Sequence, residues 1–197
     1  MELLIGILIL IFSAIMHEIA HGLVADKLGD PTARVAGRLT LNPLPHIDPI
    51  MSILVPVMMF IATQGQFVFG AAKPVPVNPL MLREGRKDLA LVALAGPLTN
   101  ILIAIVAALC IQFLGNVEFL FLVVIYNLTL GFLNLIPIPP LDGSKFFSII
   151  LPTEVAQKYL SLAPFGIFIL FFLLISTPIG DFLRILVERA TVFLIRM

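Results

Sequence analysis

Between Leu3 and Val24 the chain carries a single formal charge, Glu18. About 20 apolar residues suffice for a helix to cross a ~30 Å hydrocarbon core, and lipid offers the backbone no hydrogen-bond partner outside its own helix. This stretch therefore reads as a membrane-spanning helix. Leu89–Leu114, Phe119–Ile136 and Tyr159–Ile175 meet the same requirement, the first two of these joined by a short uncharged turn at Gly115-Asn116. Residues are 60% hydrophobic and 12% charged, against about 45–50% and 25% for a soluble domain. The predicted class is an all-α polytopic membrane protein: one embedded domain over 1–197, with about four full transmembrane helices.

Two stretches resist this simple reading. In Gly180–Met197, Asp181, Arg184 and Glu188 form one polar stripe among Leu183, Ile185, Leu186, Phe193 and Leu194, which predicts either a surface-lying amphipathic helix or a sixth, partly polar span. Ile50–Gly70 is long enough to cross, yet Pro56 interrupts it and Thr63-Gln64-Gly65-Gln66 is costly in lipid. Before it, ARVAGRLTLNPL lacks helical periodicity and suggests a short β-hairpin near 33–41, or an interfacial loop. After it, KPVPVNP is confined to an extended connector. The N-terminus has Glu2 and no basic residue ahead of its apolar run, so a retained span is expected here, not a cleaved leader.

Twelve basic residues balance twelve acidic ones, which removes the electrostatic case for nucleic acid. Cys110 is the sole cysteine, so no internal disulfide framework exists, and the residue reads as a small hydrophobe.

The chemistry concentrates at the end of the first span. His17 and His21 are four residues apart, so on a helix both imidazoles reach one ion. Glu18 lies about 100° round from His17, placed to touch a water beside the metal without acting as a ligand. This is the H-E-x-x-H arrangement of two zinc ligands and a general base. Two of only three histidines stand in this spacing, and an ionisable group in a bilayer costs at least about 2.5–3.5 kcal/mol on insertion scales. A catalytic zinc takes three protein ligands and one open position. Asp142 is the best third ligand: it follows a long span in NLIPIPPLDG, where Pro137, Pro139 and Pro140 forbid helix. Irregular backbone at membrane depth belongs where it packs in protein or lines a wet cavity. Glu118 lies at the wrong face, and Glu154 lacks such a loop.

Three separated motifs, HEIAH at 17–21, AGPLTN at 95–100 and NLIPIPPLDG at 134–143, resemble the site-2 proteases, intramembrane zinc metalloproteases, over about 130 residues. The resemblance implies zinc on His17, His21 and Asp142, one ion per chain, and Glu18 as catalytic base. It implies that Asn134 contacts substrate backbone, and that the substrates are single-span membrane proteins or leftover signal peptides. The chain departs from better-known members in lacking an inserted PDZ domain and a CBS domain.

The three motifs must meet at one depth, so 50–70 must cross an even number of times, most simply as a re-entrant hairpin bent near Pro56 or Thr63–Gln66. Lys27, Arg34, Arg38, Lys73, Arg83, Arg86, Lys87, Lys145 and Lys158 then share one side of the membrane. The positive-inside rule makes that side cytoplasmic, with the N-terminus outside, as in the plasma membrane of a prokaryote. A substrate helix must unwind before cleavage, and an edge strand near 33–41 is expected to hold it extended by β-addition. Asn100 either steadies the substrate or oxyanion with Asn134 or makes an interhelical hydrogen bond. His46 is open between a fourth ligand, a gate and an interfacial histidine without a role. Asp48-Pro49 reads as the start of the re-entrant helix. The competing functional classes are a membrane zinc-binding or transport protein and a non-proteolytic relative.

Overall fold

The computed structural model describes residues 2–62, 64, 72–115 and 117–197. Among them the chain is all-helical, and no strand occurs. The α-helices are α1 (Glu2–Lys27), α2 (Thr32–Val35), α3 (Val55–Ala62), α4 (Arg86–Leu114), α5 (Glu118–Asn134), α6 (Asp142–Phe147), α7 (Thr153–Leu160), α8 (Ala163–Ser176) and α9 (Ile179–Arg196).

Two helices, Leu4–Lys27 and Arg86–Leu114, are long and apolar enough to cross a membrane. The expected span at 119–136 is α5, whose 17 residues reach roughly 26 Å at 1.5 Å per residue. The one at 159–175 is broken: α7 and α8 meet at 48° and pass the length and apolarity test only as a pair. Pro164 stands in the first turn of α8, where its missing N–H costs no bond. Of the apolar segment 50–70, Pro49–Leu54 forms a π-helical stretch that runs into α3 through Pro56. Thr63 and residues 65–71, where the return of the re-entrant hairpin was expected, lie outside the described residues.

The hairpin expected near 33–41 is instead the short helix α2 followed by a reversal at Gly37, φ +65°. The cause is local. The Asp30 carboxylate accepts the Thr32 N–H at 3.0 Å and the Thr32 hydroxyl, which winds the chain into a helical turn at its start. Residues 72–78 form no regular element.

α4 is the central element, packed on α1, α5, α6 and α9. Its inward face repeats small residues at helical spacing (Ala93, Gly96, Ala104, Ala107 and Ala108 are all buried), which lets neighbouring backbones approach as membrane helices require. Gly131 of α5 shows how closely: a Cβ there would stand 3.2 Å from the Pro97 carbonyl oxygen. The apolar core joins Ala104, Ala108 and Ile111 to Val124 and Leu128 of α5 and Val187 of α9. Leu4, Leu8, Ile11 and Phe12 are exposed on α1, a stripe at i, i+4, i+7 and i+8 of the kind lipid covers.

Candidate metal centre

Helix α1 brings His17, Glu18 and His21 to the middle of α4, and α6 opens with Asp142 at the same place. The Nε2 atoms of His17 and His21 are 3.0 Å apart, and each is 3.0 Å from Asp142 Oδ2. These three are the group of His, Cys, Asp or Glu side chains that converges well enough to hold a metal among the described residues, and all three are buried.

Hydrogen bonds behind the rings fix what they present. His17 Nδ1 donates to Asn100 Oδ1 at 2.6 Å, and His21 Nδ1 donates to the Val92 carbonyl at 2.6 Å. Asn100 Nδ2 in turn donates to Asn127 Oδ1 at 2.9 Å and to the Ser13 carbonyl at 3.3 Å, which settles which end of its amide faces His17. Each ring therefore carries its proton on Nδ1 and turns an Nε2 lone pair to the centre. Two such lone pairs and a carboxylate oxygen at 3.0 Å have no proton to share, and a divalent cation bound there would satisfy all three. Two neutral imidazoles and one carboxylate form a three-donor set that suits catalytic zinc.

The other carboxylate oxygen, Asp142 Oδ1, accepts from Lys145 Nζ at 2.9 Å. This leaves Oδ2 as the oxygen turned to the metal. Gly96 closes the opposite wall: a Cβ there would lie 2.5 Å from both Nε2 atoms. The glycine of the DG motif is equally constrained, since a Cβ on Gly143 would stand 2.2 Å from the Leu135 carbonyl oxygen. Arg86, at the start of α4, donates to the carbonyls of Ser148 and, at 2.7 Å, Leu151, tying the segment after α6 to the helix that backs the histidines.

Glu18 stands apart from the three ligand groups. Its Oε2 accepts the Val75 N–H at 2.6 Å from the irregular segment 72–78. Asn100 is fully buried and its amide is committed to His17, Asn127 and Ser13. Asn134 ends α5 half-buried, its Nδ2 donating to the Leu130 carbonyl at 3.0 Å. His46 is buried but stands outside the converging group. Its Nε2 donates to the Thr40 carbonyl at 2.9 Å, and its Nδ1 has no partner among the described residues. Sequence reasoning missed Val92, Gly96, Asn127, Lys145 and the Val75 N–H. Lys145, three residues past Asp142 on a helix, was within its reach; the backbone donors and acceptors carry no side-chain signature.

The sequence model of Peptidase family M50 matches residues 111–176. Three proteins that carry the name "Putative zinc metalloprotease" are similar over most of the chain. YwhC of Bacillus subtilis (strain 168) is 35% identical over 189 residues, covering 89% of this chain and 82% of its own. Rip2 of Mycobacterium tuberculosis (strain ATCC 25618 / H37Rv) is 34% identical over 172 residues, 83% of this chain and 62% of its own. Rip2 of Mycolicibacterium smegmatis is 28% identical over 190 residues, 89% and 70% respectively. No solved structure matches significantly.

Proposed function

We propose that this chain, which belongs to peptidase family M50, the site-2 proteases, is an intramembrane zinc endopeptidase that hydrolyses peptide bonds within or near transmembrane segments. The observation that carries the proposal is the pairing of a buried group of three converging donors with a carboxylate that is not one of them. A metal store or transporter has no need of that fourth group.

Zinc, when bound by His17, His21 and Asp142, supplies a Lewis acid and brings the pKa of a water down toward ~7. The chain's own residues do the rest. Glu18 takes the proton of the attacking water and then delivers it to the departing amine. Asn100 and Val92 hold the two imidazoles in the tautomer that offers Nε2, while Lys145 turns the Asp142 carboxylate. Asn134, at the end of α5 one loop before Asp142, is the group proposed to steady the substrate backbone. The apolar helices α1 and α4 keep the site within the bilayer. Lysines and arginines gathered in 26–88 and after α5 support a multi-pass arrangement with the site open to the cytoplasm of a prokaryotic cell. Single-span membrane proteins or leftover signal peptides are the proposed substrates.

The test is cleavage of a panel of single-span substrates in detergent, with zinc counted per chain. Glu18→Gln should keep about one zinc and lose roughly 10²–10⁴-fold in kcat, whereas Asp142→Ala should lose the metal. Full zinc occupancy in Asp142→Ala would sink the ligand assignment, and full activity in Glu18→Gln would sink the base.

A further inference from the structure

The catalytic reading gives Glu18 a task but leaves open what aims it, and the residues behind the segment 73–78 answer that. Pro74 and Pro76 have no N–H, so Val75 offers a lone backbone donor between them, and it is spent on Glu18 Oε2 at 2.6 Å. The segment is pinned on both sides of this contact. On one side, Lys73 donates its N–H to the His46 carbonyl at 2.8 Å, and the Lys73 carbonyl accepts from Arg38 Nη2 at 2.8 Å. On the other, the Asn78 N–H donates to Asp30 Oδ2 at 2.6 Å.

Both posts are charged and buried: Asp30 is 0% exposed and Arg38 7%. Neither forms an ion pair among the described residues; Asp30 is satisfied by Thr32 and the Asn78 N–H, and Arg38 spends Nη2 on the Lys73 carbonyl while its buried Nε has no partner among the described residues. Burying a charge to hold backbone is costly unless its hydrogen bonds are made, so these two are committed to one backbone conformation. Proline at 74 and 76 stiffens that conformation further. The segment also lies tight on α1: Val75 is buried, and a Cβ on Gly22, one turn after Glu18, would stand 3.1 Å from its Cγ1.

We infer that residues 73–78 form a fixed strap that aims the Glu18 carboxylate, with Asp30 and Arg38 as positioning residues for the proton transfer. The inference rests on the protease reading. The strap holds Oε2, and Oε1 makes no hydrogen bond among the described residues, so one oxygen is fixed while the other remains for the water. A loosened strap leaves the metal ligands untouched, because none of its bonds reaches His17, His21 or Asp142, and slows the chemical step.

The experiment uses the full chain, zinc-loaded in detergent, with two readouts. In the first, Asp30→Asn, Arg38→Gln and the conservative Arg38→Lys are compared for zinc content, kcat and KM on a cleavable single-span substrate. Asp30→Asn and Arg38→Gln should keep about one zinc per chain and lose about 10- to 100-fold in kcat, part of the general-base effect, with KM little changed; Arg38→Lys should recover much of the loss. In the second, hydrogen exchange is followed at the strap's amides, which between 73 and 78 are those of Lys73, Val75, Val77 and Asn78. Replacing Glu18 by Ala leaves both posts in place, so it tests the strap even if a post variant does not fold, and it should speed exchange at Val75 by about tenfold or more. Unchanged exchange at Val75 overturns the strap whether or not the chain cleaves anything. Wild-type kcat in both post variants overturns its role in catalysis while leaving the protease reading standing. Wild-type activity in Glu18→Gln fails the protease reading instead.

Discussion

Gly96 offers the sharpest test of the pocket, because its substitution adds a single methyl group and removes nothing. A Cβ at this position would lie 2.5 Å from Nε2 of His17, 2.5 Å from Nε2 of His21 and 2.6 Å from His17 Cε1, roughly 1 Å inside ordinary contact for carbon and nitrogen. The rings have little room to retreat. His17 is held from behind by Asn100 and His21 by the Val92 carbonyl, and both anchors belong to the same helix as Gly96. Relief must come from parting α1 and α4, or from tilting both imidazoles off their anchors. Overpacking of this kind costs about 1–3 kcal/mol. At 1.4 kcal/mol per decade, Gly96→Ala should weaken zinc binding roughly 5- to 140-fold if the strain falls on the metal-bound state. The assay is competition against a chromophoric chelator on purified protein in detergent, alongside thermal unfolding to see whether the fold absorbs part of the strain. A variant that binds zinc as tightly as wild type and unfolds at the same temperature would refute the placement of Gly96 against the two ligand atoms.

Asn100→Ala should weaken zinc about 10- to 100-fold, the usual effect of losing a partner behind a ligating histidine, measured by the same competition. Lys145→Met should have a smaller effect, about 2- to 10-fold, because the lysine side chain is 40% exposed and its pairing with Asp142 is screened by solvent. Asp30 is a pH probe outside the spans. Burial opposes its ionisation, but hydrogen bonds from the Thr32 hydroxyl and from the N–H groups of Asn78 and Thr32 hold its carboxyl below the ordinary 3.8. A depressed folded-state value adds stability above the unfolded pKa, and that stability disappears as pH falls through the folded one. Wild-type unfolding temperature should therefore drop more steeply than that of Asp30→Asn below about pH 4, and parallel curves would contradict the assignment.

The metal centre was legible in the sequence because its chemistry lies in side chains at fixed helical spacing. His17 and His21 are bound to share a face, and prolines at 137, 139 and 140 mark an irregular stretch after a span that ends in a carboxylate. The same features gave α1, α4 and α5 within a few residues. The helical turn at 32–35 was not legible, because it hangs on one aspartate side chain folding back on Thr32, whereas the lack of helical periodicity was the signal read there. The break between α7 and α8 falls at Ser161-Leu162, ahead of Pro164 and inside the span expected at 159–175. The anchoring of Glu18 was invisible for a plainer reason: its partner is a backbone N–H some 57 positions away, and only its setting between two prolines hinted that this donor was set aside.

Helix α4 provides no metal ligand, yet the place of each histidine is written in it. Val92, Gly96 and Asn100 follow one another at intervals of four and meet His21, the pocket wall and His17 in turn, so the two helices count in opposite directions at one pitch. The centre is thus a matter of phase. One residue inserted or deleted between Val92 and Asn100 would swing one anchor by about 100° and leave its histidine facing nothing. The same insertion in the loops between α1 and α4 would leave the alignment of ligands and anchors as it is. The phase of the stretch from Val92 to Asn100 is therefore fixed to the single position, on a helix that provides none of the three converging donors.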